Sequence, residues 1–534
     1  MKKFFRRTAA ALLVAGIFLL TAVAHAEIQT YTGEGTYNMS EGENLGVSKE
    51  RAKADAMRYA CEQAGVFVKS VSRSVKSELL EDEIITMTSS IVKLIEEPHF
   101  FPLEQVDNLE GILIRVTVKV QIDSDDVLKW LNKPDEEKST LIAQMNELRK
   151  ANAEQEKQIA ELKRQLAQAT TKQDKDDITR EFADEDKKFL SNQKVDEGWK
   201  LWSQKNFDGA KNLFDEAIIL NPDNASAWLG RGTAYNDLKQ HERAIQDFDV
   251  AIQLNPNLDL AYNNRGLAYF GQQKFEQAIQ DYDSAIQLNP NLDLAYNNRG
   301  NAYAQGLKQY EQAIQDFDKA LQLNPNFTEA YYNRGRAYFI QQKFEQAIQD
   351  LDKAIQLNPN LDLAYNNRGL AYFGQQKFEQ AIQDYDSAIQ LNPNLDLAYN
   401  NRGLAYINLK QYERAIQDFD KALQLNPNLD MAYNNRGLAY VGQQKFERAI
   451  QDFNKAIELN PNYAEAYFSR GLAYVGLGDV EKTFSNMDKA IELNPNKAEF
   501  YQTRGLIYQA HSATKQKLRP TSRKQNSSVT TADP

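Results

Sequence analysis

One cysteine and four histidines are all that 534 residues offer of the side chains that most often hold a metal or attack a carbonyl. His25, His99, His241 and His511 lie in separate segments, so neither a metal-ligand cluster nor a nucleophile with its base is spelled out. No catalytic residue, metal ligand or cofactor is expected, and the chain reads as a non-enzyme. Gly33-Glu34-Gly35 lacks the third glycine and the strand-turn-helix setting of a phosphate loop, so a turn or bulge is expected there. Positive charge is also short: 63 Lys and Arg against 74 Asp and Glu leave a net charge of -11. Phosphate backbones are bound by basic faces, so no nucleic acid is expected as a partner.

Long apolar runs are limited to one, from Thr8 to Val23, behind Lys2, Lys3, Arg6 and Arg7 and ahead of the small-residue site Ala24-His25-Ala26. Residues 1–26 are therefore expected to be a secretory signal cleaved after Ala26. That would place the protein in the periplasm or elsewhere in the envelope, with no membrane span afterwards. No cysteine stands near the cleavage site to take a lipid. The single cysteine, Cys61, shares a helical spacing with Ala54, Met57 and Ala64; a buried inert thiol is expected, with an intermolecular disulfide as the alternative.

Residues 27–131 mix two periods. Ile112, Ile114, Val116, Val118, Val120 and Ile122 alternate with Arg115, Thr117, Lys119 and Gln121, as in a half-buried strand. Further strands are expected at Ile28 to Tyr37 and Val66 to Val75, and helices at Ser48 to Ala64, Ile84 to Ile95 and Asp125 to Leu131. These make a small α+β domain. The stretch Met39 to Val68 resembles small domains of envelope lipoproteins and the amino-terminal part of flagellar assembly proteins, which implies an envelope adaptor.

From 138 to 170 a heptad places Leu141, Met145, Leu148, Asn152, Gln155, Ile159, Leu162, Leu166 and Ala169 on one seam. A coiled coil that makes a homo-oligomer is expected, the alternative being a solvated single-helix spacer. Residues 171–190 lose the heptad and are highly charged, which reads as a linker.

Pro222, Pro256, Pro290, Pro325, Pro359, Pro393, Pro427, Pro461 and Pro495 then recur at a period of 34, with a single 35 before Pro325. Such a period marks stacked supersecondary units. Each unit holds two helical patterns, as at Asp259 to Gly271 and Phe275 to Leu288. Proline and its predecessor disfavour helix, so Asn-Pro-Asn ends the second pattern, and Asn257 is expected to cap the next helix. Glycine inside a helix costs roughly 0.5–1 kcal/mol, yet Gly232, Gly266, Gly300, Gly369, Gly403 and Gly437 sit there. Close helix approach offsets that cost, with Ala278 and Ala285 leaving room for Tyr262, Tyr269 and Tyr282. Residues 259–292 and 362–395 are identical. The extra residue in Ala304 to Tyr310 is expected in the loop between helices.

The pattern aromatic-x3-Gly-x2-Tyr-x8-Ala-x3-aromatic-x2-Ala-x4-Pro closely resembles the tetratricopeptide repeat. The resemblance covers 191–508, as nine repeats and a terminal unpaired helix from Tyr501 to Tyr508, followed by a disordered basic tail at 509–534. It implies a mostly α fold: a helical-hairpin superhelix (α-solenoid), here preceded by the small α+β domain and the coiled-coil helix. It also implies a protein-binding scaffold whose first helices line a concave groove.

That lining falls on Leu260, Asn263, Asn264, Leu267 and Phe270. In later units it falls on Asn297 and Asn298, Asn333, Asn366 and Asn367, Asn400 and Asn401, and Asn434 and Asn435. An amide donates and accepts, so such a row could hold the backbone of an extended peptide; a similar ladder occurs in the superhelix of O-linked sugar transferases. Equally, the asparagines could bond only between neighbouring helices. The arginine before each repeat glycine, such as Arg265, faces a recurrent acidic set, and structural ion pairs are expected there. Envelope proteins or peptide segments are the expected partners, with a rigid spacer that lacks a groove ligand as the competing function.

Overall fold

The computed structural model describes residues 28–40, 42–74, 81–105, 111–131, 133 and 135–517. The expected signal segment and the end of the expected tail lie outside them. Two compact units divide the chain, Met1–Ala337 and Tyr338–Pro534.

The first unit opens on β1 (Ile28–Ser40), α1 (Leu45–Ser74), α2 (Glu81–Ile91), β2 (Lys93–Leu94), β3 (His99–Phe100), β4 (Glu104–Gln105), β5 (Gly111–Asp123) and α3 (Ser124–Leu131). Strand β5 is the spine: β1 runs antiparallel along it from Ile28 opposite Asp123 to Ser40 opposite Gly111, and β2, β3 and β4 pair with its other edge. Its apolar alternation buries Ile114, Val116, Val118 and Val120 against Ala52, Ala56 and Ala60 of α1. Gly33 and Gly35 face that alanine row from β1. A Cβ on Gly33 would lie 2.0 Å from the Ala56 carbonyl oxygen, and one on Gly35 2.2 Å from that of Ala52. The Gly-Glu-Gly segment is thus neither turn nor bulge; it is straight strand kept bare so that a helix can lie on it.

Of the strand expected at Val66 to Val75, the residues through Ser74 are instead the end of α1, and Val75 lies outside the described residues. Ala64, Phe67 and Val68 continue the helical spacing and pack with Met87, Ile122, Val127 and Trp130, and this burial overrides the β-branched composition.

Helices α4 (Asp135–Gln168) and α5 (Lys172–Ser203) fold back on one another. Leu141 and Leu148 meet Val195, Trp199 and Trp202, while Ile159 and Leu162 meet Ile178 and Phe182. The seam expected to join two copies is therefore filled within the chain. Its polar centre is satisfied there as well: Asn192 Nδ2 donates to Asn152 Oδ1 at 2.9 Å, and Gln155 Nε2 to the Glu185 carbonyl at 2.8 Å. The expected linker 171–190 is helix. Thr171 caps it, accepting from the Asp174 N–H at 3.1 Å, and Ile178 and Phe182 give the charged segment an apolar face toward α4.

A buried charge cluster unannounced by the sequence joins this pair to α1. Arg51 lies 3.0 Å from Asp186 and 3.5 Å from Glu43, with Lys163 3.4 Å from Glu43 and the Tyr37 hydroxyl donating to Glu43 at 2.5 Å.

The repeats begin inside α5. It pairs with α6 (Phe207–Leu220), then α7 (Ala225–Asp237) with α8 (His241–Leu254), α9 (Asp259–Gly271) with α10 (Phe275–Leu288), and α11 (Asp293–Asn301) with α12 (Tyr310–Leu323); α13 (Thr328–Ile340) carries the division between units. Each turn holds one left-handed residue: Lys205, Lys239, Gln273 and Lys308, at φ 57 to 62°. The asparagine before each proline organises the other loop. Asn289 Oδ1 accepts from the Asn291 N–H at 3.1 Å while its Nδ2 donates to Asp259 at 2.6 Å. The expected cap, Asn257, is displaced by Leu258 at the N-cap, and Asp259 Oδ1 accepts from the Leu260 N–H at 2.8 Å. The extra residue is not in the loop; it is wound into a π-helical turn at Ala302–Leu307 that extends α11.

In the second unit, α14 (Phe344–Leu357) packs on α15 (Asp362–Gly374). Hairpins follow from α15 with α16 (Phe378–Leu391), α17 (Asp396–Asn408) with α18 (Tyr412–Leu425), α19 (Asp430–Gly442) with α20 (Phe446–Leu459), and α21 (Ala464–Leu477) with α22 (Val480–Leu493). The last helix, α23 (Ala498–Lys517), runs past the expected end at Tyr508 into the expected tail. Among the described residues no helix is long and apolar enough to cross a membrane.

Candidate protein-binding face

The helical glycines explain the hairpins. A Cβ on Gly266 would lie 2.7 Å from the Tyr282 ring, and one on Gly403 2.7 Å from the Phe419 ring. An aromatic of the second helix thus rests on bare backbone of the first. Tyr282 and Phe419 are fully buried by this contact.

The arginines act as rails. Arg265 grips Asp281 of its own hairpin through Nε and Nη2 at 2.8 and 2.7 Å, and through Nη1 reaches Asp249 of the preceding hairpin at 2.6 Å. Arg402 repeats this with Asp418 at 2.8 and 2.6 Å and Asp386 at 2.5 Å. Burial pushes the Asp281 and Asp418 carboxyls up while the guanidinium opposes it. These guanidinium groups hold the stack together, leaving no row of free cations for an acidic ligand.

At the last hairpin the rail changes. Arg470 meets Asn486 at 2.8 Å and Asn454 at 2.6 Å in place of aspartates, and burial holds its guanidinium below the usual range. Asn486→Asp would give Nη2 an acceptor and restore a charge-assisted fork. We expect it to stabilise the second unit by about 1 kcal/mol, read as a rise in the urea midpoint of the full chain.

The asparagines bond to each other. In the first unit a directional amide chain runs from Asn333 Nδ2 to Asn297 Oδ1, Asn297 to Asn298, Asn298 to Asn263, Asn263 to Asn264, and Asn264 to Thr233 Oγ1, at 3.0 to 3.4 Å. In the second unit it runs from Asn435 to Asn400, Asn401, Asn366 and Asn367, also at 3.0 to 3.4 Å. Asn434 donates to Asn435 at 3.4 Å, but its Oδ1 is buried without a partner where Ser469 replaces the next donor. The pairs are buried or half-buried. Of the two readings open in the sequence, bonding between neighbouring helices describes where these side chains are.

Leu267 and Phe270 are half-buried in the hairpin cluster around Tyr282, with Phe270 edge-on to Phe275 at 5.4 Å. Leu260 is 2% exposed, in a core cluster with Leu229 and Leu294 against which Ala143 of α4 packs. Its counterparts in the second unit stand open: Leu363 is 41% exposed, Leu397 42% and Met431 40%. They occupy one position on α15, α17 and α19, first helices that lie side by side, and so form an apolar stripe.

Elsewhere the chemistry is quiet. Burial pushes the Cys61 thiol up to about 11, leaving it protonated at neutral pH. His241 Nδ1 is 2.8 Å from Asn236 Oδ1, and its ring fills the space beneath Gly271. Among the described residues no group of His, Cys, Asp or Glu could hold a metal. A cleft lined by Lys93, Lys129, Lys133, Lys200 and Lys205 gathers the C-terminal ends of α2, α3 and α5. Lys93 and Lys129 share Asp126 at 2.6 and 3.1 Å, Lys200 holds Asp196 at 2.6 Å, and Lys133 donates to the Ser203 carbonyl at 2.5 Å. Lys93, Lys129 and Lys200 thus answer carboxylates, and Lys133 the negative end of a helix.

Family models described as tetratricopeptide repeat match residues 195–259, 260–292, 363–395, 397–429 and 464–497, and one described as TPR repeat matches 307–339, 335–376 and 439–478. No curated protein matches the chain. Among solved structures it is similar to the Cut9-Hcn1 hetero-tetramer of APC/C (16% identity, 59% of this chain and 75% of that one, TM-score 0.40). It is similar also to MamA (30% identity, 30% and 94%, TM-score 0.29). A third is YrrB, described as a TPR protein with an unusual peptide-binding site (22% identity, 36% and 99%, TM-score 0.30). The bare glycines under aromatics, the period of the prolines and the matched segments agree: through residues 195–497 the chain belongs to the tetratricopeptide repeat family.

Proposed function

We propose that the chain is a non-catalytic scaffold of the bacterial envelope that binds a partner protein on the first-helix face of its second unit. The observation that carries this reading is the open stripe of Leu363, Leu397 and Met431, three large apolar side chains about two-fifths exposed on adjacent helices. Fully covering such side chains stabilises a complex by up to about 1.5–3 kcal/mol each, so even partial cover of three is substantial. The envelope location rests on the basic, apolar and small-residue pattern of residues 1–26.

The test is a triple variant, Leu363→Asp, Leu397→Asp and Met431→Asp. These side chains do not build the hairpins, so helical circular dichroism and the melting temperature are expected to stay unchanged while partner capture from envelope extracts falls at least tenfold. Unchanged capture would sink the proposal and favour the rigid-spacer function.

A further inference from the structure

We infer that the occupant of the second unit's stripe is an amphipathic helix of a partner protein, with an apolar seam and basic flank like those of α4, and not an extended peptide. This rests on the proposed binding face and names what it takes. Residues 259–292 and 362–395 are identical, and the helix that follows each begins with the same sequence through its glycine. Yet Leu260 is 2% exposed where Leu363 is 41%. The segment's own sequence does not account for that difference: the first helix before Leu260 offers Leu229 where α13 has Tyr332, and α4 adds cover.

In the first unit α4 supplies cover at groove positions. In register with Gly266, the places of Leu260, Asn263, Leu267 and Phe270 are taken in α5 by Asn192, Val195, Trp199 and Trp202. Asn192 bonds α4 through Asn152, and the other three pack on Leu141 and Leu148. Further along, Ala143 joins the cluster that holds Leu260. The chain thus shows what its own first-helix face accepts.

Two features of the second unit fit the same kind of occupant. Lys150 of α4 pairs with Glu147 at 2.6 Å and also feels the charge of Asp259, and the second unit repeats that acid beside each stripe residue as Asp362, Asp396 and Asp430. Finally, an extended peptide needs partners for its backbone, and the amides that would supply them bond to one another. A helix satisfies its own backbone and asks only for apolar contact.

The probe is a labelled synthetic peptide of residues 138–155, titrated by fluorescence anisotropy onto the full chain. Saturable binding is expected. It should fall at least tenfold in the Leu363→Asp, Leu397→Asp, Met431→Asp variant, and likewise when the peptide carries Met145→Pro, which cannot stay helical. Equal binding of the proline peptide, indifference to the triple variant, or no binding at all would each overturn the inference. The capture assay above would stand or fall separately. Sedimentation of the chain alone supplies the remaining arm: a dimer lost in the triple variant would make the occupant a second copy, against the assignment to a partner.

Discussion

Gly33→Val is expected to disrupt residues 28–131 while leaving the repeats folded. A Cβ there falls 2.0 Å from the Ala56 carbonyl oxygen and 2.9 Å from the Ala60 side chain, and the oxygen belongs to helix backbone that cannot rotate away. Relief requires α1 to lift off β1, which opens the layer of Ile114, Val116, Val118 and Val120. Overpacking of a tight core commonly costs about 1–3 kcal/mol; a rigid backbone obstacle under a whole helix should exceed that, at about 4 kcal/mol. Limited proteolysis should then cut within 28–131 first, with most helical circular dichroism retained. Gly35→Val should behave alike, because its Cβ would lie 2.2 Å from the Ala52 oxygen. Wild-type protease resistance in both variants would refute the close contact.

Arg402→Ala carries the second largest expected effect. Its removal leaves Asp418, 6% exposed, without its fork, and cuts the tie to Asp386. Breaking one side of a buried ion pair costs about 3–5 kcal/mol; the remaining exposure of the guanidinium places this case at the lower end. In a stack where each hairpin touches mainly its neighbours the loss is local, so hydrogen exchange should accelerate in α17 and α18 ahead of the first unit. Replacing both partners, Arg402→Met with Asp418→Leu, should recover most of the stability, because no buried charge is then orphaned. A double variant as weak as the single one would show that the pair itself, and not the orphaned carboxylate, supplies the stabilisation.

The repeats were legible because their constraints are local. Gly266 needs Tyr282 at a fixed distance along the chain, and proline enforces every boundary, so spacing alone carries the geometry. The heptad of α4 was legible as a seam, but a seam does not name its partner. Ile178, Phe182, Phe189 and Leu190, scattered through a charged stretch, were too few to advertise a helix that fills it. The asparagine rows were visible as a column, whereas the direction of their bonds depends on how far one hairpin stands from the next. Gly33 and Gly35 misled for a related reason: glycine signals a missing side chain, and only the helix above explains whether a turn or a neighbour requires it.

The π-helical turn at Ala302–Leu307 bears on how such an array tolerates genetic change. Arg299 sits one residue farther from Asp316 than each other arginine does from its partner, yet its fork closes at 2.8 and 2.6 Å like the rest. Widening one helical turn absorbs the added residue before the hairpin's second helix begins. An in-frame codon gained at that point therefore leaves the arginine fork of its own hairpin closed.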